Sequence, residues 1–275
     1  VESEEQNIKQ GRHFTYEEEF VHMAQKVAPY CDYITLNMSH PNSELAGLIT
    51  DGAIFTIAPI VKSVKEAVKL AAPIQTPPVL IKLPADIPVD EIPTITKCLL
   101  EAECDGVIVA GPLSAAKNAF VTMSDTKLNA RISMVYGEAE KEKVLELIRH
   151  LYQQSNGKLP IVSCGAVFTP EDAFNNLAAG ASLIQVDESA LVYHSPSIVF
   201  SLQKGLLKLM SEKGYTTLNQ LIGSEMHHVE NVQAEVSAPN DGAPSVGGQN
   251  SVTISATAPL ASTTENNNSS VSPIQ

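Results

Sequence analysis

The sequence predicts an α/β fold with a parallel sheet, a segment of a (β/α)8 TIM barrel of about five βα units followed by a disordered C-terminal tail. Three observations carry this expectation. Short apolar runs alternate along the chain with amphipathic runs of helical period, the pattern of βαβ units. The chain has 44% hydrophobic residues but no Trp and only 5% aromatics, so small aliphatic side chains must fill the core, as they do in parallel α/β interiors. No strand-like run leads into a Gly-rich dinucleotide turn, which favours a barrel segment over a doubly wound sheet.

The elements follow in order. Thr15–Ala28 reads as a helix opened by Thr15, with Glu17, Glu18 and Glu19 in the first turn where the helix dipole favours acids. Asp32–Asn37 reads as a strand. Ala53–Ala71 is a helical run with Val61, Val64, Val68 and Ala72 on one face, and Pro59 is expected to kink or restart it. Val79–Leu83 is a second strand, Asp90–Ala102 a helix and Gly106–Ala110 a third strand. In Glu138–Gln154 the residues Val144, Leu147, Ile148 and Leu151 recur at helical spacing. Leu159–Cys164 is a fourth strand. Thr169, Pro170, Glu171 and Asp172 combine an N-cap, a proline at the first helical position and two acids, opening a helix that ends at Gly180. Ala181–Val186 is a fifth strand and Ser197–Lys213 a closing helix.

The barrel segment is expected to span residues 1–228. From Val229 to Gln275 the composition shifts to Ser, Asn, Thr, Ala, Pro and Gly, without Lys, Arg or aromatic residues. Such a stretch cannot bury enough apolar surface to offset the entropy of ordering, which predicts the tail. The net charge of −13 argues against a nucleic-acid partner, whose phosphates must be neutralised by Lys and Arg. No apolar stretch reaches the roughly 18–20 residues of a membrane span. The chain opens on Val1 with no signal-peptide pattern, so a processed N-terminus or a fragment is expected. Cys31, Cys98, Cys104 and Cys164 show no CxxC spacing; buried reduced thiols in a reducing, intracellular compartment are expected.

One stretch is chemically richer than the rest. Asn37-Met38-Ser39-His40-Pro41-Asn42-Ser43 directly follows an apolar strand, and Pro41 keeps His40 out of helical conformation. Such a cluster of amides, hydroxyls and an imidazole can bind a polar ligand. It is equally the composition of an ordinary strand-end turn.

Taken together, the strand ends resemble the second half of the dihydroorotate dehydrogenase family, the quinone-linked class most of all. The family's Asn-x-Ser-Ser-Pro-Asn-Thr turn is matched by Asn37–Ser43, and its Val-Lys-Ile-Ala-Pro-Asp strand by Ile81-Lys82-Leu83-Pro84-Ala85-Asp86. Gly106–Val109, Pro160–Val167 and Gly180–Gln185 resemble the sixth to eighth strands, and Ile222–His227 the family's close. The resemblance runs from about Tyr16 to His228, and its strength lies in the collinear order of the motifs. It implies an FMN-containing barrel that oxidises dihydroorotate to orotate in pyrimidine synthesis, with a quinone as acceptor. Asn37, Asn42 and Ser43 would then bind the substrate, and His40 would stand where the family has its catalytic Ser or Cys. Lys82 would lie beside the flavin, with Gly165 and Ala166 at its phosphate.

The departures fall on the same strand ends. His40 is a better base near neutral pH than a hydroxyl, but it is larger. The family's Thr-Asn-Thr after the sixth strand is replaced by Ala110-Gly111-Pro112, and its Gly-Gly pair by Gly165-Ala166. Beside the flavin phosphate, Tyr-Thr is replaced by Asp187-Glu188. A carboxylate about 4 Å from a phosphate costs on the order of 4 kcal/mol at an effective dielectric near 20, a factor of roughly 10³ in affinity. With Ser189 the two acids also resemble a helix N-cap, which would put the protein's own carboxylate in the anion site.

The family's first strands have no match before Tyr16, and five strands cannot close a barrel, so either the sequence is a fragment or a partner chain covers the open sheet edges. Membrane docking would need a segment that this sequence does not contain. Three functions follow: a dihydroorotate dehydrogenase, a catalytically impaired relative acting as a scaffold or partner-binding protein, or a barrel enzyme of another class reusing the same turns.

Overall fold

The computed structural model describes residues 15–40, 49, 57–111, 113–114, 134–135 and 137–226. All of them lie in the unit Val1–Val236. Helix α1 (Tyr16–Val27) is closed at its start by a capping box, in which Glu18 N donates to Thr15 Oγ1 and the Glu18 carboxylate accepts from Thr15 N. A 3-10 turn at Ala28–Tyr30 leads to β1 (Ile34–Asn37). Helix α2 (Ile57–Ala71) precedes β2 (Val79–Leu83), and α3 (Ile92–Glu101) precedes β3 (Gly106–Val109). A two-stranded antiparallel pair, β4 (Leu113–Ser114) and β5 (Met134–Val135), follows. Then come α4 (Lys141–Ser155), β6 (Ile161–Cys164), α5 (Pro170–Ala178), β7 (Leu183–Gln185), α6 (Glu188–Tyr193), α7 (Ile198–Glu212) and α8 (Leu218–Leu221).

The main sheet is parallel, five strands in the order β1-β2-β3-β6-β7, the expected barrel segment. Two details go beyond the expected pattern. Pro59 sits in the first turn of the described helix α2, where its missing N–H has no intrahelical partner to lose, and residues 53–56 of the expected run lie outside the described residues. The β4–β5 pair was not anticipated, because two-residue strands are too short to carry a periodic pattern. The expected tail at residues 229–275 lies outside the described residues.

The register divides the sheet into two faces. Leu36, Ile81, Val107 and Ile161 share one rung and are buried against the helices, in a core completed by Val61, Val64, Val68, Ile95, Leu99, Leu147 and Ile148. The next rung toward the strand ends runs Asn37, Lys82, Ile108, Val162, Leu183 across all five strands. Its side chains alternate away from the helices, into what is the interior in a closed barrel. Along this rung cover thins toward both edges: Ile108 is buried, Lys82 and Val162 are half-buried, and Leu183 on β7 is 63% exposed.

Candidate active site at the strand ends

The carboxyl ends of β1, β2, β3, β6 and β7 bring most of the expected site residues to one side of the sheet. Asn37 ends β1 and is the direct register partner of Lys82 on β2, so the two lie on adjacent strands at one level. The Asn37 Oδ1 accepts from Ser39 N at 3.1 Å and from Ser39 Oγ at 2.7 Å, an Asx turn that reverses the chain just beyond the strand. Its oxygen is therefore committed to the turn, and the Nδ2 donor is the group it offers to a ligand. His40 follows on this turn, exposed. Asn42, Ser43 and Pro112 lie outside the described residues.

Ser39 also packs against the segment after β3. Gly111 N donates to Leu83 O at 2.8 Å, and Ala110 N to Cys164 O at 2.9 Å, which draws this segment tightly across the neighbouring strand ends. A Cβ on Gly111 would lie 2.3 Å from Ser39 Oγ. Residue 111 has no side chain because Ser39 occupies its space.

At β6 the backbone turns through Gly165 (φ 88°) and Ala166 (φ 55°). Ala166 is buried and holds a left-handed conformation that costs a non-glycine residue roughly 1–2 kcal/mol. Ala166→Gly is expected to raise the unfolding free energy, by up to about 1 kcal/mol once the greater freedom of unfolded glycine is subtracted. The urea midpoint reads this directly. A lower midpoint would mean that the methyl group's packing outweighs its strain.

Charged groups gather around this turn. A Cβ on Gly165 would meet Glu140 Oε2 at 3.1 Å and Asp187 Oδ2 at 3.5 Å. Glu140 is only 2% exposed and sits just before α4. Asp187 caps α6: its Oδ1 accepts from Ala190 N at 3.3 Å and from Ser189 Oγ at 2.6 Å, the N-cap expected from Asp187, Glu188 and Ser189. Cys164 reports the field of the cluster. Burial pushes its thiol pKa up, with Lys82 opposing and Asp187, Glu140 and Glu188 reinforcing the rise. Burial likewise pushes Cys104 up to about 11. Both are buried free thiols held protonated near neutral pH; Cys31 and Cys98, expected to be buried, are half-buried.

Glu140 escaped the sequence reading because it was one charge among several on a helix with a clear apolar face. Its reach to Gly165 comes from packing between elements far apart in the chain. Among the described residues no group of His, Cys, Asp and Glu is arranged to hold a metal ion, and no helix is long and apolar enough to cross a membrane.

Comparison with known proteins agrees with this geometry. The family model for dihydroorotate dehydrogenase matches residues 2–210. A dihydroorotate dehydrogenase (quinone) of Streptomyces coelicolor is 29% identical over 208 residues, covering 76% of this chain and 55% of the relative. The corresponding protein of Trichodesmium erythraeum is 29% identical over 205 residues, covering 70% and 50%. The crystal structure of a ligand-free dihydroorotate dehydrogenase from Eimeria tenella superposes with a TM-score of 0.67 at 21% identity, over 78% of this chain and 61% of that one, a likeness of fold. The chain thus spans about half the length of the curated relatives it matches. With the five-stranded parallel sheet and the collinear strand-end motifs, the match over residues 2–210 places this chain in the dihydroorotate dehydrogenase family.

Proposed function

We propose that the strand-end site recognises dihydroorotate and serves its oxidation to orotate. The observation that carries this reading is the Asn37–Lys82 rung, which sets an amide donor and a cation side by side at the ends of adjacent strands. A dihydropyrimidine carboxylate offers carbonyl oxygens to the Asn37 Nδ2 and a negative charge to Lys82. His40, beyond the same turn, is the group to accept the proton that leaves carbon as the ring is oxidised, imidazole being the commonest general base in enzymes. Asn42 and Ser43 complete the substrate side. A flavin supplies the electron acceptor in this family, and a quinone the onward one. The β7 edge of the sheet's inner face, where Leu183 is exposed, is the surface that a covering chain would pack against.

A second reading is favoured by specific observations. Glu140 and Asp187 stand against Gly165, where the flavin phosphate would lie, and no side chain at Ala110 or Gly111 replaces the family's asparagine. On that reading the chain is a catalytically impaired relative that binds the pyrimidine, or a partner, without turnover.

The test is dihydroorotate-dependent reduction of a quinone or dye by the purified chain with added flavin. Turnover that falls about a hundredfold in His40→Ala supports the dehydrogenase. Orotate binding without turnover supports the impaired relative. Absence of both orotate binding and turnover sinks the proposal.

A further inference from the structure

We infer that the turn at Gly165 does not receive the phosphate of a flavin mononucleotide, because this chain's own Glu140 and Asp187 carboxylates close it. The inference concerns the cofactor side and stands apart from the pyrimidine side, so turnover or orotate binding does not decide it.

Gly165 provides the cradle that a phosphate needs: no Cβ, and a φ of 88° that only glycine adopts at ease. The space in front of its Cα is lined by acceptors, however. Glu140 Oε2 and Asp187 Oδ2 lie 3.1 and 3.5 Å from the position of a Cβ, and Ala110 O lies 4.0 Å away. A phosphate brings oxygens that also only accept, so it would meet three acceptors there and two of the chain's negative charges. Two of the donors nearby are already engaged. The Ala190 N–H at the start of α6 and the Ser189 hydroxyl both donate to Asp187 Oδ1. The protein's carboxylate thus holds the place at that helix start that an incoming anion would take.

The remaining charges shift the balance the same way. Lys82 is the cation among the charges acting on the neighbouring Cys164, against Asp187, Glu140 and Glu188. Glu140 is held in place from behind. The next residue, Lys141, is anchored to Asp172 at 3.0 Å and to Glu138 at 2.8 Å, which fixes the start of α4. The carboxylate is therefore a built part of the turn, not a surface side chain that can swing clear.

The inference is tested without catalysis. The full chain and the variants Asp187→Asn, Glu140→Gln and their double substitution are melted in inorganic phosphate and in chloride at matched ionic strength. FMN and riboflavin, which differ only in the phosphate, are titrated in parallel by flavin fluorescence. The isosteric substitutions preserve shape, and Asp187→Asn still accepts the α6 N–H. The wild-type chain is expected to show no phosphate-dependent rise in Tm and to bind FMN no more tightly than riboflavin. The double variant is expected to melt higher in phosphate and, where flavin binds, to favour FMN over riboflavin at least tenfold. Tenfold or greater FMN preference in the wild-type chain overturns the inference. So does a wild-type Tm that rises in phosphate, or a double variant that remains as indifferent to phosphate as the wild type.

Discussion

Gly180→Ala is expected to destabilise the fold by about 3 kcal/mol or more, one of the largest single-residue losses in this chain. A Cβ on Gly180 would fall 2.3 to 2.5 Å from Tyr152 Cγ, Cδ2 and Cβ, well inside van der Waals contact. The clash is with the base of the ring, which cannot rotate away without moving α4. Retreat is blocked on the far side too, where a Cβ on Gly223 would lie 2.2 Å from the Tyr152 hydroxyl. Gly223 is itself tied to α5 by a 3.0 Å hydrogen bond from its N–H to Leu177 O. Steric overlap in such a site costs on the order of 1–3 kcal/mol, and the φ of 123° at Gly180 adds a further cost for any side chain. Gly214 provides the control. It has a φ of 81° but nothing within 4 Å, so Gly214→Ala carries the backbone cost alone, about 1 kcal/mol. Urea denaturation of the two variants separates the effects. Equal losses at the two positions would dismiss the wedged tyrosine as the cause.

Tyr152 shows what the sequence could and could not reveal. Its helix was legible because Val144, Leu147, Ile148 and Leu151 repeat with the helical period, and all four are buried. The strands were legible for a similar reason: Gly106–Val109 is apolar on both faces and Val79–Leu83 is apolar but for Lys82, as parallel strands are. Local caps were legible from adjacent residues, as Thr169 with Asp172 and Asp187 with Ser189 confirm. What stayed hidden are relations between residues far apart. Nothing near Gly180 in the chain says that Tyr152 lies against it, and nothing near Gly111 says that Ser39 fills its space. Glu140 is the functional example. Its neighbours read as a solvated helix face, and only the packing of α4 beside β6 turns its carboxylate toward Gly165. The substrate side was read from one motif and the cofactor side from substitutions in others. Of the two carboxylates inferred to close the cofactor side, Asp187 lies in such a motif and Glu140 outside every one.

Asp172→Ala is expected to cost about 3 kcal/mol near neutral pH, because one carboxylate holds two helix starts together. Its Oδ2 accepts from Phe168 N at 3.1 Å and Thr169 N at 2.9 Å, closing the capping box of α5. Its Oδ1 pairs with Lys141 at 3.0 Å, in the first turn of α4. Loss of a cap costs about 1 kcal/mol, leaving the buried Phe168 N–H without its acceptor costs about 1–3 kcal/mol, and half-buried Lys141 is left with Glu138 alone. Phe168 would loosen as well, since it lies under the Lys141 ammonium at 5.7 Å and stacks on His194 at 4.6 Å. The pH dependence gives the sign. Burial acts to raise the Asp172 pKa, but the hydrogen bonds from Lys141, Phe168 and Thr169 prevail and hold it below the ordinary carboxylate range. A carboxyl whose folded pKa is depressed adds stability that is complete above its unfolded pKa, about 3.9, and is lost as pH falls through the lower folded value. Wild-type stability should therefore drop on acidification below about pH 4 more steeply than that of Asp172→Asn, with the two curves converging in acid. Parallel curves over that range would show that Asp172 is held by shape and not by its charge.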